Sequence, residues 1–321
     1  MTSNVSRARV VLASDGTPAS EGAMRFAVQE AVSRGTGLLI VHVNPIKVPA
    51  PPLPPIPAVG PVPAVRLAEP SELSAHARRV LQRAAREARD LAPGLSISTL
   101  LAEGGRVRAI VGVADTAQLV VVGRETRRGL ERVLTGATTA GVASRARCPV
   151  AVVPGTWQPR GGAEGGGTVV VGIRRVAGTA DLMATAYAWA APRGASITVV
   201  HAWEMADPYV DRAEARTHAG EWQALGEELL DEALGAWRDQ HPDVSVQIRV
   251  VHGHPASVLV SAAQTADLVL VRRAHEHRPF DHLGATVRAL LLASPAPVEV
   301  VPTQDASGPD LVLEGAGKLA T

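Results

Sequence analysis

The chain has 321 residues, 46% of them apolar, and a formal net charge of +1. That length exceeds one typical domain and suits two, each able to bury its own core. The near-neutral balance argues against a whole-protein electrostatic footprint for nucleic acid or an anionic membrane. Lys47 and Lys318 are the only lysines, so the positive charge is almost all arginine; with abundant Ala, Gly, Val and Pro, this suggests a G+C-rich bacterial genome. Cys148 is the only cysteine, which leaves no internal disulfide and no cysteine-based metal site. The first residues lack the apolar stretch of a signal peptide, and no run reaches the length of a membrane span, so a cytoplasmic protein is expected.

In chain order, Val10–Asp15 is the first short, β-branched apolar run, and Ala19 to Arg34 follows with Ala23, Phe26, Ala27, Glu30 and Ala31 at near-helical spacing. Leu39–Val43 is the next strand. The Pro-rich stretch from Pro45 to Pro70 suits neither helix nor central strand and reads as an extended loop or flap, or equally as a disordered surface insertion. Glu72 to Leu91 is an arginine-rich helix, with Leu73, Ala77, Val80, Leu81, Ala84 and Ala88 on one side. Val107 to Thr116 forms another helix, Gln118–Gly123 a strand, Thr138 to Arg145 a helix, and Cys148–Pro154 a last strand.

The same order then recurs. Val169–Arg174 matches Val10–Asp15, Ile197–Ala202 matches Leu39–Val43, Asp267–Arg272 matches Gln118–Gly123, and Ala296–Pro302 matches Cys148–Pro154. Such matches in one order define a tandem repeat. Continuous Val- and Ile-rich runs are the signature of strands covered on both faces. Alternation with helices gives an α/β fold: two tandem doubly wound parallel-sheet, Rossmann-like domains. The expected boundaries are residues 1–155 for the first domain, 156–167 for a Gly-rich linker, 168–303 for the second domain, and 304–321 for a flexible tail. Right-handed crossovers place any ligand along one edge of each sheet.

In the first half, Gly123 at a strand end and Gly136-Ala137-Thr138-Thr139 at an expected helix start suit a phosphate. Glycine permits close backbone approach, free N–H groups at a helix start attract anions, and Arg127 and Arg128 add charge. A helix cap with a solvated basic loop explains the same residues. Asp15, just after the first strand, offers a carboxylate to an adenine amino group or a ribose hydroxyl; standing alone it reads rather as a turn residue in Ser14-Asp15-Gly16-Thr17-Pro18.

Taken together these residues resemble the universal stress protein family over nearly the full chain. The features are Asp15-Gly16-Thr17 after the first strand, His42-Val43 at the second, Gly123 and Gly136 at the separation of the family's Gly, two residues, Gly, nine residues, Gly-Ser/Thr pattern, and Cys148-Pro149-Val150 opening the last strand. The resemblance implies an adenine nucleotide alpha hydrolase-like fold and an ATP site, with or without Mg2+. Its contacts would be Ala13, Ser14, Asp15, Val43, Val122, Gly123, Arg127, Gly136, Ala137, Thr138 and Thr139. Thr126 stands at the second glycine position and Ala137 at the Ser/Thr position, a lost hydroxyl on the scale of about 1 kcal/mol.

The second half departs further: Arg174 stands where Asp15 does, Arg272 where Gly123 does, and the loop from Arg273 to His282 has no glycine. It is not expected to bind ATP in the family manner. His275, His277, Asp281 and His282 match no strong metal spacing, so no metal is expected. His252 and His254 read as structural loop residues, and His42 and His201 as core histidines. No P-loop, nucleophile elbow or opening dinucleotide fingerprint is present. The expected protein is a non-enzymatic or barely enzymatic stress-response regulator, a weak ATPase at most, binding ATP in its N-terminal domain, with an unknown protein partner. The alternative is an interaction module that binds no nucleotide, its halves paired as an intramolecular pseudo-dimer through their last strands, with a homodimer also open.

Overall fold

The computed structural model describes residues 9–44, 70–125, 131–160, 166–175, 179–273 and 283–302. The Pro-rich stretch up to residue 69, the loop holding Thr126, Arg127 and Arg128, the centre of the linker, the histidine-rich loop and the tail from residue 304 lie outside them.

The first half runs β1 (Arg9–Ala13), α1 (Ala19–Ser33), β2 (Leu38–Asn44), α2 (Pro70–Leu91), β3 (Ile97–Glu103), α3 (Arg106–Ala114), β4 (Ala117–Arg124), α4 (Glu131–Arg145) and β5 (Val150–Pro154). The second runs β6 (Thr168–Gly172), α5 (Ala180–Ala190), β7 (Ser196–Trp203), α6 (Pro208–Thr217), α7 (Ala219–Gln240), β8 (Val246–His252), α8 (Pro255–Ala262), β9 (Leu268–Arg272), α9 (Gly284–Ala293) and β10 (Val298–Val301). The doubly wound α/β reading holds, with a parallel sheet in each half. Its Val-rich runs form the central strands because helices cover both faces there.

Four local expectations change. Pro70 opens α2 rather than belonging to the loop, since proline at a first helical position gives up no intrahelical N–H bond. The outermost strands β3 and β8 are absent from the sequence reading, and His252 is the last residue of β8, not a loop residue. The segment after β7 carries its own helix, α6, whose first turn is capped by Asp207 accepting from the Tyr209 and Val210 amides. Finally, α4 starts at Glu131, not at Thr138. Glycine inside a helix costs only about 1 kcal/mol, so Gly136 does not stop a helix that Glu131, Arg132 and Leu134 favour.

All the strands form one 10-stranded sheet in the order β3-β2-β1-β4-β5-β10-β9-β6-β7-β8. The halves meet where β5 and β10 pair antiparallel, Glu299 opposite Ala151 at the centre of the register. This is the last-strand pairing expected from the repeat. It relates the halves by a pseudo-twofold axis through the seam, normal to the sheet. Helices α1, α2, α5 and α7 therefore share one face, and α3, α4, α8 and α9 the other. Each face carries one hydrophobic cluster that runs through both halves.

Polar groups fasten the seam on both faces. On one, Arg124 of β4 donates to the Leu292 and Ser294 carbonyls at the end of α9. Its counterpart Arg273 donates to the Ser144 and Ala146 carbonyls at the end of α4. Each half thus caps the other's helix C-terminus with a cation, where the helix dipole favours one. On the other face lies a buried charge cluster. Glu30 of α1 is 1% exposed and accepts from Arg34 Nε at 3.0 Å and Arg193 at 2.7 Å. Trp189 Nε1 donates to it at 3.0 Å, and the Arg193 guanidinium lies 4.6 Å from that indole ring. Glu299, on β10, sits in the field of both arginines with neither carboxylate oxygen hydrogen-bonded among the described residues.

Candidate functional site

In each half the chain leaves the first strand in one direction and the fourth in the other. The first half therefore has its topological switch point between β1 and β4, where open α/β sheets bind ligands beyond the strand ends. Ala13 ends β1 and pairs with Val41 and with Val122. The Ser14 amide donates to the Val41 carbonyl at 2.9 Å. Val43 lies one strand over, and Gly123 follows Val122. The sheet thus brings Ala13, Ser14, Asp15, Val43, Val122 and Gly123 to one edge.

Asp15 is exposed and held in place. Its Oδ1 accepts from the Thr17 amide at 3.0 Å, the Thr17 hydroxyl at 2.7 Å and the Ser20 hydroxyl at 2.8 Å. Burial presses its carboxyl upward, but the Thr17 and Ser20 bonds outweigh that and hold its pKa below the ordinary value. All of these bonds fall on Oδ1, which leaves Oδ2 as an open acceptor among the described residues. Gly16 adopts φ +77°, and a side chain there would also meet Val80 of α2 at 2.7 Å. The turn is therefore fixed from above by α2. His42 Nδ1 donates to the Ser14 carbonyl at 2.8 Å, which braces the same turn from below. Ser20, Val80 and His42 as supports of Asp15 were not legible in the sequence; the Ser14–Ser20 run carried only a turn signal.

Two expectations about this edge are corrected. A Cβ on Gly123 would meet the Ala19 carbonyl oxygen at 2.3 Å and its carbon at 2.9 Å. The close approach that Gly123 permits is therefore to the first turn of α1. In addition, because α4 begins at Glu131, its free N–H groups are not at Gly136, Ala137, Thr138 and Thr139. Thr138 is half-buried and Thr139 buried in the body of that helix. Gly123→Ala is expected to destabilise the chain by about 1–3 kcal/mol through overpacking against α1. Gly112→Ala, at an exposed position of α3 where a Cβ meets nothing within 4 Å, should instead stabilise by up to about 1 kcal/mol. Thermal melting of the pair checks this, and equal effects would refute it.

A shallow cavity of 280 Å³ opens beside the same edge, lined by Pro18, Ala19, Glu21, Arg25, Glu125 and Gly155 among others. None of the expected contact residues lines it. Cys148 is buried, and burial pushes its thiol up to about 11, which removes it from nucleophilic chemistry at neutral pH.

The equivalent edge of the second half is built differently. His201 repeats the His42 contact, with Nδ1 2.9 Å from the Ile173 carbonyl, but its buried Nε2 has no partner among the described residues. The end of β7 is filled by Trp203, whose ring lies tilted against His252 at 4.5 Å and Trp222 at 6.1 Å between centroids. Asp211 accepts from the Met205 amide at 2.8 Å and lies 2.9 Å from His252 Nε2, locking α6 over this end. Among the described residues no group of three His, Cys, Asp or Glu side chains gathers to hold a metal ion. No helix among them is long and apolar enough to cross a membrane.

The fold and this edge define a tandem, doubly wound α/β protein with its two halves fused into one sheet and one preserved switch-point turn. The universal stress protein family model matches residues 7–154 and again 167–302. The chain belongs to the universal stress protein family. It is 30% identical over 301 residues to a universal stress protein of Mycobacterium tuberculosis, covering 91% of this chain and 94% of that one. A universal stress protein of Mycolicibacterium smegmatis is 28% identical over 268 residues, covering 82% and 85%. Among solved structures, a universal stress protein from Archaeoglobus fulgidus superposes with a TM-score of 0.65 at 16% identity, covering 93% of this chain and 99% of that one, which is a likeness of fold.

Proposed function

We propose that this chain is a cytoplasmic stress-response regulator that binds an adenine nucleotide in its first half and does not bind one in its second. The reading rests chiefly on Asp15. Three hydrogen bonds orient its carboxylate at the switch point, its pKa is depressed, and one oxygen remains open. Such an acceptor suits the amino group of adenine or a ribose hydroxyl, whereas a fixed anion repels phosphate. The base and sugar would therefore lie over Ala13, Ser14, Asp15, Val43 and Val122. The phosphates of ATP, with or without Mg2+, would extend past Gly123 toward Arg127 and the start of α4. In the second half Arg174 replaces the acceptor and Trp203 fills the neighbouring strand end, which supports the asymmetry. The reading assigns no catalytic group.

Calorimetric titration of the full chain with ATP tests it. Binding at one site per chain is expected, weakened tenfold or more by Asp15→Ala, the scale of one hydrogen bond to a charged group. Equal affinities, or no binding by either protein, would overturn it.

A second reading, an interaction module indifferent to nucleotide, is favoured by the packing of Gly123 onto Ala19 and by the early start of α4. It requires a melting temperature unmoved by excess ATP, because any ligand of the native state raises stability.

A further inference from the structure

The pseudo-twofold places α2 and α7 at equivalent positions on one face of the sheet. Their buried sides match: Leu81 and Leu230, then Ala85 and Leu234, belong to the same hydrophobic cluster. Along their middle turns the outer sides are opposite in charge at three equivalent positions, while the ends match in sign at Glu72 and Glu221, Arg89 and Arg238, and Asp90 and Asp239. Arg78 stands where Glu227 does, Arg79 where Glu228 does, and Arg83 where Glu232 does. Arg78, Arg79, Arg83 and Arg86 are exposed, and none has an ion-pair partner among the described residues. The same is true of Glu221, Glu228, Glu232 and Asp239 on α7. The face also exposes apolar side chains that no core explains, Val32 of α1 at 56% and Leu225 of α7 at 41%.

Two helices related by symmetry have no need of opposite signs at matched outward positions. We infer that this face is a self-association surface, on which α2 of one chain lies against α7 of a second copy and α7 against its α2. A twofold axis lying parallel to the sheet generates both contacts at once, so the assembly closes as a dimer. The charges also select the register. The alternative stacking, α2 on α2 and α7 on α7, sets like charges against each other. The β5 and β10 edges are already spent on each other within the chain, so this association leaves the seam intact.

Sedimentation velocity of the full chain at about 50 mM salt is the test, with circular dichroism melts to show that each variant folds. A dimer is expected that weakens at 0.5 M salt. Arg79→Glu with Arg83→Glu should abolish it, as should Glu228→Arg with Glu232→Arg. Mixing the two double variants should restore a heterodimer, because the acidic residues introduced at 79 and 83 then face the basic ones introduced at 228 and 232, while the unaltered α2 and α7 face each other as before. A wild-type monomer, a dimer that survives either pair of reversals, or a mixture that stays monomeric would overturn the proposal. So would a monomer that binds heparin through Arg79 and Arg83, which would assign the face to an anionic macromolecule.

Discussion

Glu30→Ala should destabilise the chain by about 3–5 kcal/mol, the usual loss when one partner of a buried ion pair is removed. Glu30 is 1% exposed and accepts from Arg34, Arg193 and Trp189. Removing it leaves two guanidinium groups facing each other at the seam, with only Glu299 to balance them, and leaves a buried indole N–H without its acceptor. The result would be clearest in urea, as a lower midpoint with unchanged slope. Arg25→Ala breaks the partly exposed Arg25–Glu21 pair on the same helix and a 3.4 Å hydrogen bond to the Trp157 carbonyl, and should cost no more than about 1–2 kcal/mol. A loss under about 1 kcal/mol for Glu30→Ala would mean that the cluster is no stronger than a surface network.

The second large effect belongs to Glu299. Full burial pushes its carboxyl up to about 7; the fields of Arg34 and Arg193 pull it down and that of Glu30 pushes it up, but burial prevails. The folded value thus lies above the ordinary 4.5 of the unfolded chain. A raised carboxyl pKa stabilises fully below the unfolded value, and that stabilisation is lost as pH climbs through the folded one. The window is therefore pH 4.5 to 7, and the loss across it is on the order of 3 kcal/mol. Glu299→Gln keeps the volume and removes the titration. It should match the parent near pH 4 and exceed it by that amount at pH 8. Parallel stability curves for the two proteins across this range would refute the assignment. Glu30 and Glu299 share the same arginines, so their substitutions should not add. With Glu30 absent, Glu299 loses a like charge and ionises more readily.

These residues give the seam its asymmetry. Arg34 and Arg193 are equivalent across the pseudo-twofold, each followed by a glycine at φ +59°. The acids are not equivalent: Glu30 corresponds to Trp189, and Glu299 corresponds to Ala151. Pairing two second halves would bury Glu299 against Glu299 at the centre of the strand register, where like charges directly opposite destabilise. The cluster therefore favours pairing within the chain over exchange of halves between chains.

The sequence by itself determined the repeat, the central strands, the helices that alternate with them, and the contrast of Asp15 with Arg174. These depend on short-range signals: continuous apolar runs, helical spacing, and residue type at a strand end. It missed β3 and β8 because outermost strands are only partly covered and lose the continuous apolar run of buried strands; β3 exposes Ser98, Thr99 and Leu100. It placed the start of α4 at Thr138 because Gly136 was read as a local breaker without the flanking residues that extend the helix past it. Only the tertiary structure decided what Gly123 makes room for, what orients Asp15, and which charges meet at the seam. Glu30 and Arg193, or Arg124 and Ser294, are brought together by strand pairing between residues far apart in the chain, and no local pattern encodes such a meeting. The opposite charges of α2 and α7 were plain in the sequence, but that they share one face follows from the twofold alone.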